Sequence, residues 1–577
     1  MTFSRREFIQ VLAASVASGI SQSSLFGKSY PDFNAIYDAK PFGNVHLLHI
    51  TDCHAQLNPI YYREPSVNIG VGAATNKFPH IVGENFLQAS GVEPGSALAH
   101  AFTCQNFVQA AELFGKVGGF AHLKTLINKV KSTRPDALLL DGGDTWQGSG
   151  TALWTEGQDM VEACLELGVD VMTAHWEMMH GAERVKHIVD NDFQNKVDFI
   201  AQNIKTRDFE DPVFDSYTLR EMNGIPVAII GQAFPYTPIA NPQHFTPDWS
   251  FGIREFEMQE TVNRARIRGA QVVVLLSHNG MDVDLKLASR VTGIDAILGG
   301  HTHDAIPNPI IVGNKSGKTI VTNAGSNGKF LGVLDFSVKS GHVVDFEYRL
   351  LPVFSNAITP DLKMAALIER LRKPYMIDLS EELAVTEGTL YRRGNFNGSF
   401  DEVLLDAMLD EQDAEIAFSP GFRWGTSLLP GTQITMESLL EQTATTYSYC
   451  TQREMTGAAM KEILEDVADN IFNPDPYYQQ GGDMVRVGGM SYSITPSETI
   501  GSRIDDMRIG DELVDPNKKY KVAGWAPVSP NANGEYIWDL VSRWLKEKKV
   551  VKVKSPNQPT LKGLNRSLGI SRSCVKG

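Results

Sequence analysis

Five short stretches hold residue types that bind divalent metals: Asp52-Cys53-His54, Asp141-Gly142-Gly143-Asp144, Ala174-His175-Trp176-Glu177, Ser277-His278-Asn279-Gly280 and Gly299-Gly300-His301-Thr302-His303. Carboxylate oxygens and neutral imidazole nitrogens are the ligands of hydrolytic two-metal sites. Each stretch alone says little, because a lone His is most often a surface or core residue with a backbone partner. Five His and two Asp, each just after an apolar run, are a different matter. Seven ligands with Asp144 shared make two adjacent four-coordinate sites. In extended chain alternate side chains share a face, so Asp52 and His54 are expected to project together, as are His301 and His303, with Cys53 turned away. Asp141 reads as an organiser of its glycine-bearing loop.

Two divalent ions against two carboxylates leave about two positive charges in excess. They would draw an anionic substrate to a chain of net charge −15. They would also bring the pKa of a shared water from about 15.7 toward neutrality, which supplies a hydroxide nucleophile. Phosphoryl and sulfonyl esters both suit that chemistry.

Such a cluster needs strands that end side by side. Short β-branched runs at 45–50, 137–140, 169–173, 197–201, 227–230, 272–277 and 296–298 alternate with helical patterns, the signature of stacked βα units. In open α/β sheets the ligand crevice lies beyond the carboxyl ends of the strands, where all five stretches fall. A glycine-rich segment, 56–119, has weak periodicity and reads equally as a cover for the site or as a surface loop. The βα rhythm stops near 352. A helix bounded by Pro360 and Pro374 marks a junction, and a second α/β domain follows with helices at 400–410 and 455–468 and a strand at 520–524.

A chain of 577 residues is too long for one core, which fits two domains. The acidic balance excludes a general nucleic-acid binder, and the locally basic segment 546–554 reads as a solvated helix end. Ser4-Arg5-Arg6 before a Ser/Ala-rich apolar stretch has the layout of a twin-arginine export signal, which would place the mature protein in the periplasm, off the membrane. The cysteines at 53, 104, 164, 450 and 574 have no CxxC spacing, so neither a zinc ribbon nor a disulfide framework is expected.

The order of the five stretches resembles the calcineurin-like metallophosphoesterases and, given the second domain, the periplasmic 5′-nucleotidases. That resemblance implies an α/β fold: an N-terminal four-layer α/β/β/α sandwich and a C-terminal 5′-nucleotidase-type α/β domain. Its expected divisions are a signal at 1–30, a dimetal domain at 40–352, a linker helix at 353–388, a substrate domain at 389–560 and a tail at 561–577. It also implies that Asp52, His54, Asp144 and His303 hold one ion and that Asp144, His175, His278 and His301 hold the other.

The third stretch departs from the nucleotidase pattern Gly-Asn-His-Glu: His175 stands at the Asn ligand position and Trp176 where the proton-donating His belongs. An indole N–H donates a hydrogen bond but exchanges no proton near neutral pH, so the leaving group must need little protonation. A thiolate or persulfide meets that condition better than a ribose oxygen. Together with Tyr391-Arg392-Arg393-Gly394-Asn395-Phe396-Asn397, Pro420-Gly421-Phe422-Arg423-Trp424 and the segment from Asp466 through Tyr477-Tyr478 to Asp483, this stretch is similar to the thiosulfohydrolases of bacterial sulfur oxidation. The resemblance implies two manganese ions, hydrolysis of a sulfonate from a cysteine on the glycine-rich C-terminal arm of the carrier SoxYZ, and a monomeric enzyme. The ligand set alone suits zinc or iron equally. Trp176 is expected to shape the leaving-group side, and Arg423 offers a planar fork for sulfonate oxygens. Arg392, Arg393, Asn395, Asn397, Tyr477 and Tyr478 are candidate substrate contacts, with only one of the adjacent arginines able to face the site from a strand. A 5′-nucleotidase or cyclic phosphodiesterase is the competing reading within the same chemistry, and a non-catalytic metal-dependent binding partner the reading from another class.

Overall fold

The computed structural model describes residues 33–529, 532–552 and 555–574. The twin-arginine stretch lies outside the described residues. Phe33 to Asp38 belong to one unit, with a helical turn at Asn34–Tyr37, and the described residues from Ala39 onward pack as a second unit.

Two six-stranded sheets dominate the N-terminal half of that second unit. The first contains β1 (Val45–Ile50), β2 (Leu138–Asp141), β3 (Val171–Met172) and β4 (Asp198–Phe199). The second contains β5 (Tyr217–Met222), β6 (Ile225–Gln232), β7 (Val272–Ser277), β8 (Ala296–Gly299), β9 (Ile310–Asn314) and β10 (Gly317–Asn323). A hairpin of β11 (Phe330–Lys339) and β12 (His342–Pro352) returns to the first sheet, giving the orders β12-β11-β1-β2-β3-β4 and β9-β10-β8-β7-β6-β5. Strands β1 to β4 are parallel, as are β6, β7, β8 and β10.

Alternation along β7 shows why these strands read as unbroken apolar runs. Val272, Val274 and Leu276 meet Val45, Leu47 and Phe336 between the two sheets. Val273 and Leu275 point the other way, onto Met258, Val262 and Leu287 of the helices behind the second sheet. Both faces are covered, so both sets of positions must be apolar. The result is a four-layer α/β/β/α sandwich. The antiparallel members β5, β9 and β12 escape sequence reading because their burial alternates with exposure and polar residues interrupt them.

The C-terminal half is a mixed α/β unit. A sheet of β13 (Ile416–Ser419), β14 (Cys450–Thr456), β15 (Arg486–Gly488) and β16 (Lys519–Trp525), in the order β14-β16-β13-β15, separates two apolar cores. Ala417 and Ala523 face one core while Ile416 and Val522 face the other.

The cysteine expectation needs correcting: Cys104 and Cys574, 470 residues apart, form a disulfide. Spacing could not reveal it, because the link depends on the tail returning to the 56–119 segment. There Ser571 donates its N–H to Ser66 O at 2.8 Å, and Asn68 donates to Gly569 O at 2.8 Å. Against a partial burial penalty, hydrogen bonds from Ser571, Ser573 and Arg572 hold the Glu84 carboxyl at about 2. Cys53, Cys164 and Cys450 are free and buried. Cys574→Ser is expected to lower unfolding stability by about 2–5 kcal/mol, read as a shift in urea midpoint. An unchanged midpoint would mean that the tail holds without the link.

Candidate metal centre

The carboxyl ends of the two sheets meet, and the seven ligand candidates converge there. Asp52, His54, Asp144 and His175 follow β1, β2 and β3, whereas His278, His301 and His303 follow β7 and β8. Ligand atoms of Asp144, His175, His278 and His301 lie within 4.8 Å of one another, as do those of Asp52, His54, Asp144 and His303. Asp144 belongs to both sets. These are the two quartets that the family resemblance implies.

The local backbone differs from the extended chain expected. Asp52, His54, Asp144, His301 and His303 all have positive φ, between 45° and 71°. Left-handed backbone is costly for residues with a Cβ and is held only where surrounding contacts impose it. Here the carboxylate of Glu177 imposes part of it, accepting from the backbone N–H groups of Asp144, Thr145, Trp146 and His175 at 2.7–3.3 Å. Asp141 accepts from Gly143 N and Thr145 Oγ1 at 3.0 and 2.9 Å and so organises the loop.

The donor set fits two cations. Nε2 of His54 and Nε2 of His303 face each other at 2.9 Å, and Asp52 Oδ1 is 3.2 Å from the latter. Asp144 Oδ2 lies 3.1 Å from both His175 Nδ1 and His278 Nε2. Nε2 of His175 and both ring nitrogens of His301 are buried without a partner. No protein donor reaches these atoms, and because Nε2 of His301 faces Gly481 its Nδ1 is left for an ion. Although burial opposes it, the charges of Asp144 and Asp52 push His278 to about 10, a position in which a metal ion replaces the proton. Neighbouring groups fix the rings: His278 Nδ1 lies 2.6 Å from Gly142 O and His54 Nδ1 lies 3.1 Å from Gln147 Oε1, which turns each Nε2 toward the cluster.

Beside the quartets opens a cavity of about 280 Å³ walled by Trp176, Phe234, Phe422, Trp424 and Tyr447, with Arg423 on its edge. Trp176 sits edge-on to Phe422 and Trp424 at 5.5 and 5.2 Å, and its backbone N–H donates to Asp144 Oδ1 at 2.8 Å. Phe422 and Trp424 stack on each other at 4.0 Å. Arg423 donates to His301 O at 3.2 Å and Gly482 O at 2.6 Å.

The other predicted contacts separate. Arg393 and Asn395 line a smaller polar chamber across Arg423. Arg392 instead is buried against Asp401, with Nε 2.8 Å from Oδ1, and donates to Gln442 O. Asn397 is spent on Glu402 and the backbone of Val487. Tyr477 donates to Glu255 and stacks under Lys286, and Tyr478 is 63% exposed; neither walls the aromatic cavity. Arg392 and Asn397 are corrections, and the cause is shared: sequence proximity to a motif does not set side-chain direction.

Sequence reading assigned no role to Gln147, Glu177, Phe234 or Trp424. Phe234 was findable, since it follows strand β6 as the ligands follow theirs, and its ring lies 4.1 Å from both His175 and His301. Gly481 also matters: its φ is +80° and a Cβ there would stand 1.9 Å from His301 Nε2. Gly481→Ala is therefore expected to lower activity by on the order of 100-fold and to reduce bound metal without unfolding the chain, checked by metal analysis and circular dichroism. Full metal content in the variant would refute the clash.

The chain matches two family descriptions, Calcineurin-like phosphoesterase over residues 45–305 and 5′-nucleotidase, C-terminal domain over 382–538. It is 35% identical to a solved sulfate thiohydrolase SoxB from Thermus thermophilus, with a TM-score of 0.86, covering 92% of this chain and 98% of that one. A solved 5′-nucleotidase precursor from Thermus thermophilus, 21% identical, has a TM-score of 0.69 and covers 90% and 99%, a likeness of fold. A 5′-nucleotidase of Rattus norvegicus is 27% identical over 279 residues, 44% of this chain and 47% of that protein. The chain thus spans about half the length of the curated nucleotidases it matches.

Proposed function

The chain belongs to the SoxB family within the 5′-nucleotidase superfamily of calcineurin-like phosphoesterases, and from that premise we propose that it is a thiosulfohydrolase acting on a cysteine-bound thiosulfonate. The S–S bond to the sulfonate breaks with its electron pair going to the inner sulfur, an S–O bond forms from water, and sulfate is released. Bound at the two quartets, divalent ions would activate water and neutralise charge developing on the sulfonate oxygens. Manganese is the proposed metal.

The observation that carries this reading is the wall opposite the quartets. A purine held between two rings needs them about 7 Å apart, twice the contact distance of about 3.5 Å between stacked carbons. Phe422 and Trp424, 4.0 Å apart, already fill each other's face and admit no base between them. Trp176 supplies apolar surface and no exchangeable proton, which suits a sulfur leaving group stable as an anion. Arg423, which donates to His301 O beside the quartets, is the proposed partner for oxygens of the tetrahedral anion.

The proposed substrate is carried on the glycine-rich arm of SoxYZ, threaded along the aromatic cavity by a monomeric periplasmic enzyme exported through the twin-arginine route. Among the described residues no helix is long and apolar enough to cross a membrane. The test incubates manganese-loaded protein with AMP and, separately, with a thiosulfonate-capped glycine-rich peptide. Sulfate release from the peptide with little phosphate from AMP is expected. Fast release from AMP with none from the peptide would return the chain to the nucleotidases.

A further inference from the structure

The polar chamber across Arg423 has no part in the reading above. It holds about 50 Å³, room for about three or four water molecules or one small tetrahedral anion. Arg423, His301, Gly481, Asp483 and Asn470 line both this chamber and the aromatic cavity, so they form a thin partition between them. The outer wall comes from Asn68, Pro79 and His80 of the 56–119 segment, which therefore covers the site's polar side.

Several features of the chamber favour an anion. It is floored by the start of the ten-residue helix Met281–Arg290, from Gly280 to Val283, where the N–H groups of Asp282 and Val283 have no intrahelical partner and that of Met281 donates to Thr302 Oγ1 at 3.2 Å. Arg393 is 94% buried and its Nε has no acceptor; Nη2 alone is tied, to Thr302 O at 2.8 Å. Arg423 Nε likewise has no hydrogen-bond partner. Of the acidic groups that face the chamber, Asp282 and Asp483 are engaged by cations, whereas Asp304 keeps one buried oxygen without a partner and burial raises its pKa toward the neutral form. Asp282 pairs with His80 at 2.8 Å, and that contact raises the imidazole's pKa despite burial. Asp483 is shared among Arg393, Arg423 and Arg486 at 3.3–3.8 Å, and Asp304 lies 4.0 Å from Arg393.

We propose that this chamber is a station for the tetrahedral anion released at the metal centre, letting it depart behind Arg423 while the sulfur product still fills the aromatic cavity. The inference rests on the proposed entry of a tethered substrate through that cavity. A tethered arm plugs its own channel, so a small hydrophilic product that moves behind Arg423 clears the metal centre before the arm withdraws. Guanidinium donors on both sides of the partition would pass the anion from Arg423 to Arg393.

Two measurements test the station, one without any turnover. Crystals of the manganese-loaded protein soaked in selenate, a tetrahedral dianion with an anomalous signal, are expected to show selenium beside Arg393 and the helix start. Crystals of Arg393→Gln are expected to show none there. No selenium in the wild-type chamber overturns the proposal whatever the substrate proves to be. For the second measurement, Asn68→Leu narrows the chamber from its outer wall. With the thiosulfonate peptide this variant is expected to keep its single-turnover rate within about 2-fold while steady-state turnover falls about 10-fold, with a burst of one equivalent of bound sulfate. An equal loss in both regimes, or none in either, overturns the exit role. Absence of peptide cleavage by the wild type would instead remove the thiosulfohydrolase reading and leave the selenate result to judge the site.

Discussion

Asp144→Asn should reduce sulfate release by on the order of 10³-fold or more and take the bound metal from two ions to one or none. Oδ2 of Asp144 faces His175, His278 and, at 3.8 Å, His54, so a single oxygen is available to both quartets. Oδ1 accepts the N–H of Trp176. Asparagine keeps the volume and, with its carbonyl oxygen in the Oδ1 position, that structural hydrogen bond, while the negative charge at the shared corner is lost. The fold should survive, since Glu177 still gathers the four loop N–H groups. A comparison with Gln147→Leu sharpens the result. That change removes the acceptor that orients His54 and the amide N–H donated to Ala444 O but no ligand, and its expected loss is about 10–100-fold with both ions retained at saturating metal. Metal stoichiometry and sulfate release on the same preparations decide the matter. Two tightly bound ions and near-normal turnover in Asp144→Asn would remove the shared-ligand role.

Much of this centre was legible because a parallel strand buried on both faces announces itself as an apolar run and ends where chemistry sits. Val272–Ser277 followed by His278 is the clearest case. What stayed hidden depends on chain reversal and distance. The left-handed turn at Asp52 and His54 places both side chains in one quartet by a route that extended-chain alternation does not describe. Glu177 looked like part of a ligand motif, yet its carboxylate is a cap for a loop more than 30 residues away in sequence. Arg392 and Arg393 are adjacent, and only packing against Asp401 shows which one leaves the site. The disulfide and the chamber behind Arg423 arise from contacts between the 56–119 segment and residues several hundred positions away, for which one sequence holds no periodic signal.

Trp176→His is expected to give the protein a phosphomonoesterase activity about 10²-fold above its own background, the usual scale for a placed general acid. The choice of substrate isolates the cause. A nucleotide is the wrong probe because its base would meet the same aromatic wall that the substitution changes. Glycerol phosphate, whose alkoxide leaving group needs a proton, should gain most. p-Nitrophenyl phosphate, whose phenolate leaves unprotonated, should gain little. The thiosulfonate peptide should gain nothing and lose somewhat, because the smaller ring opens space among Phe422, Trp424 and Tyr447. Trp176→Phe controls for that loss by keeping aromatic surface without a titratable group. It should retain peptide cleavage and show no gain on glycerol phosphate. Because the backbone N–H of residue 176, not its ring, donates to Asp144, both variants should keep their metal. Equal gains on both phosphate esters would point to better access and away from proton donation. No gain in a folded, metal-replete Trp176→His protein would mean that the leaving group is not what residue 176 selects.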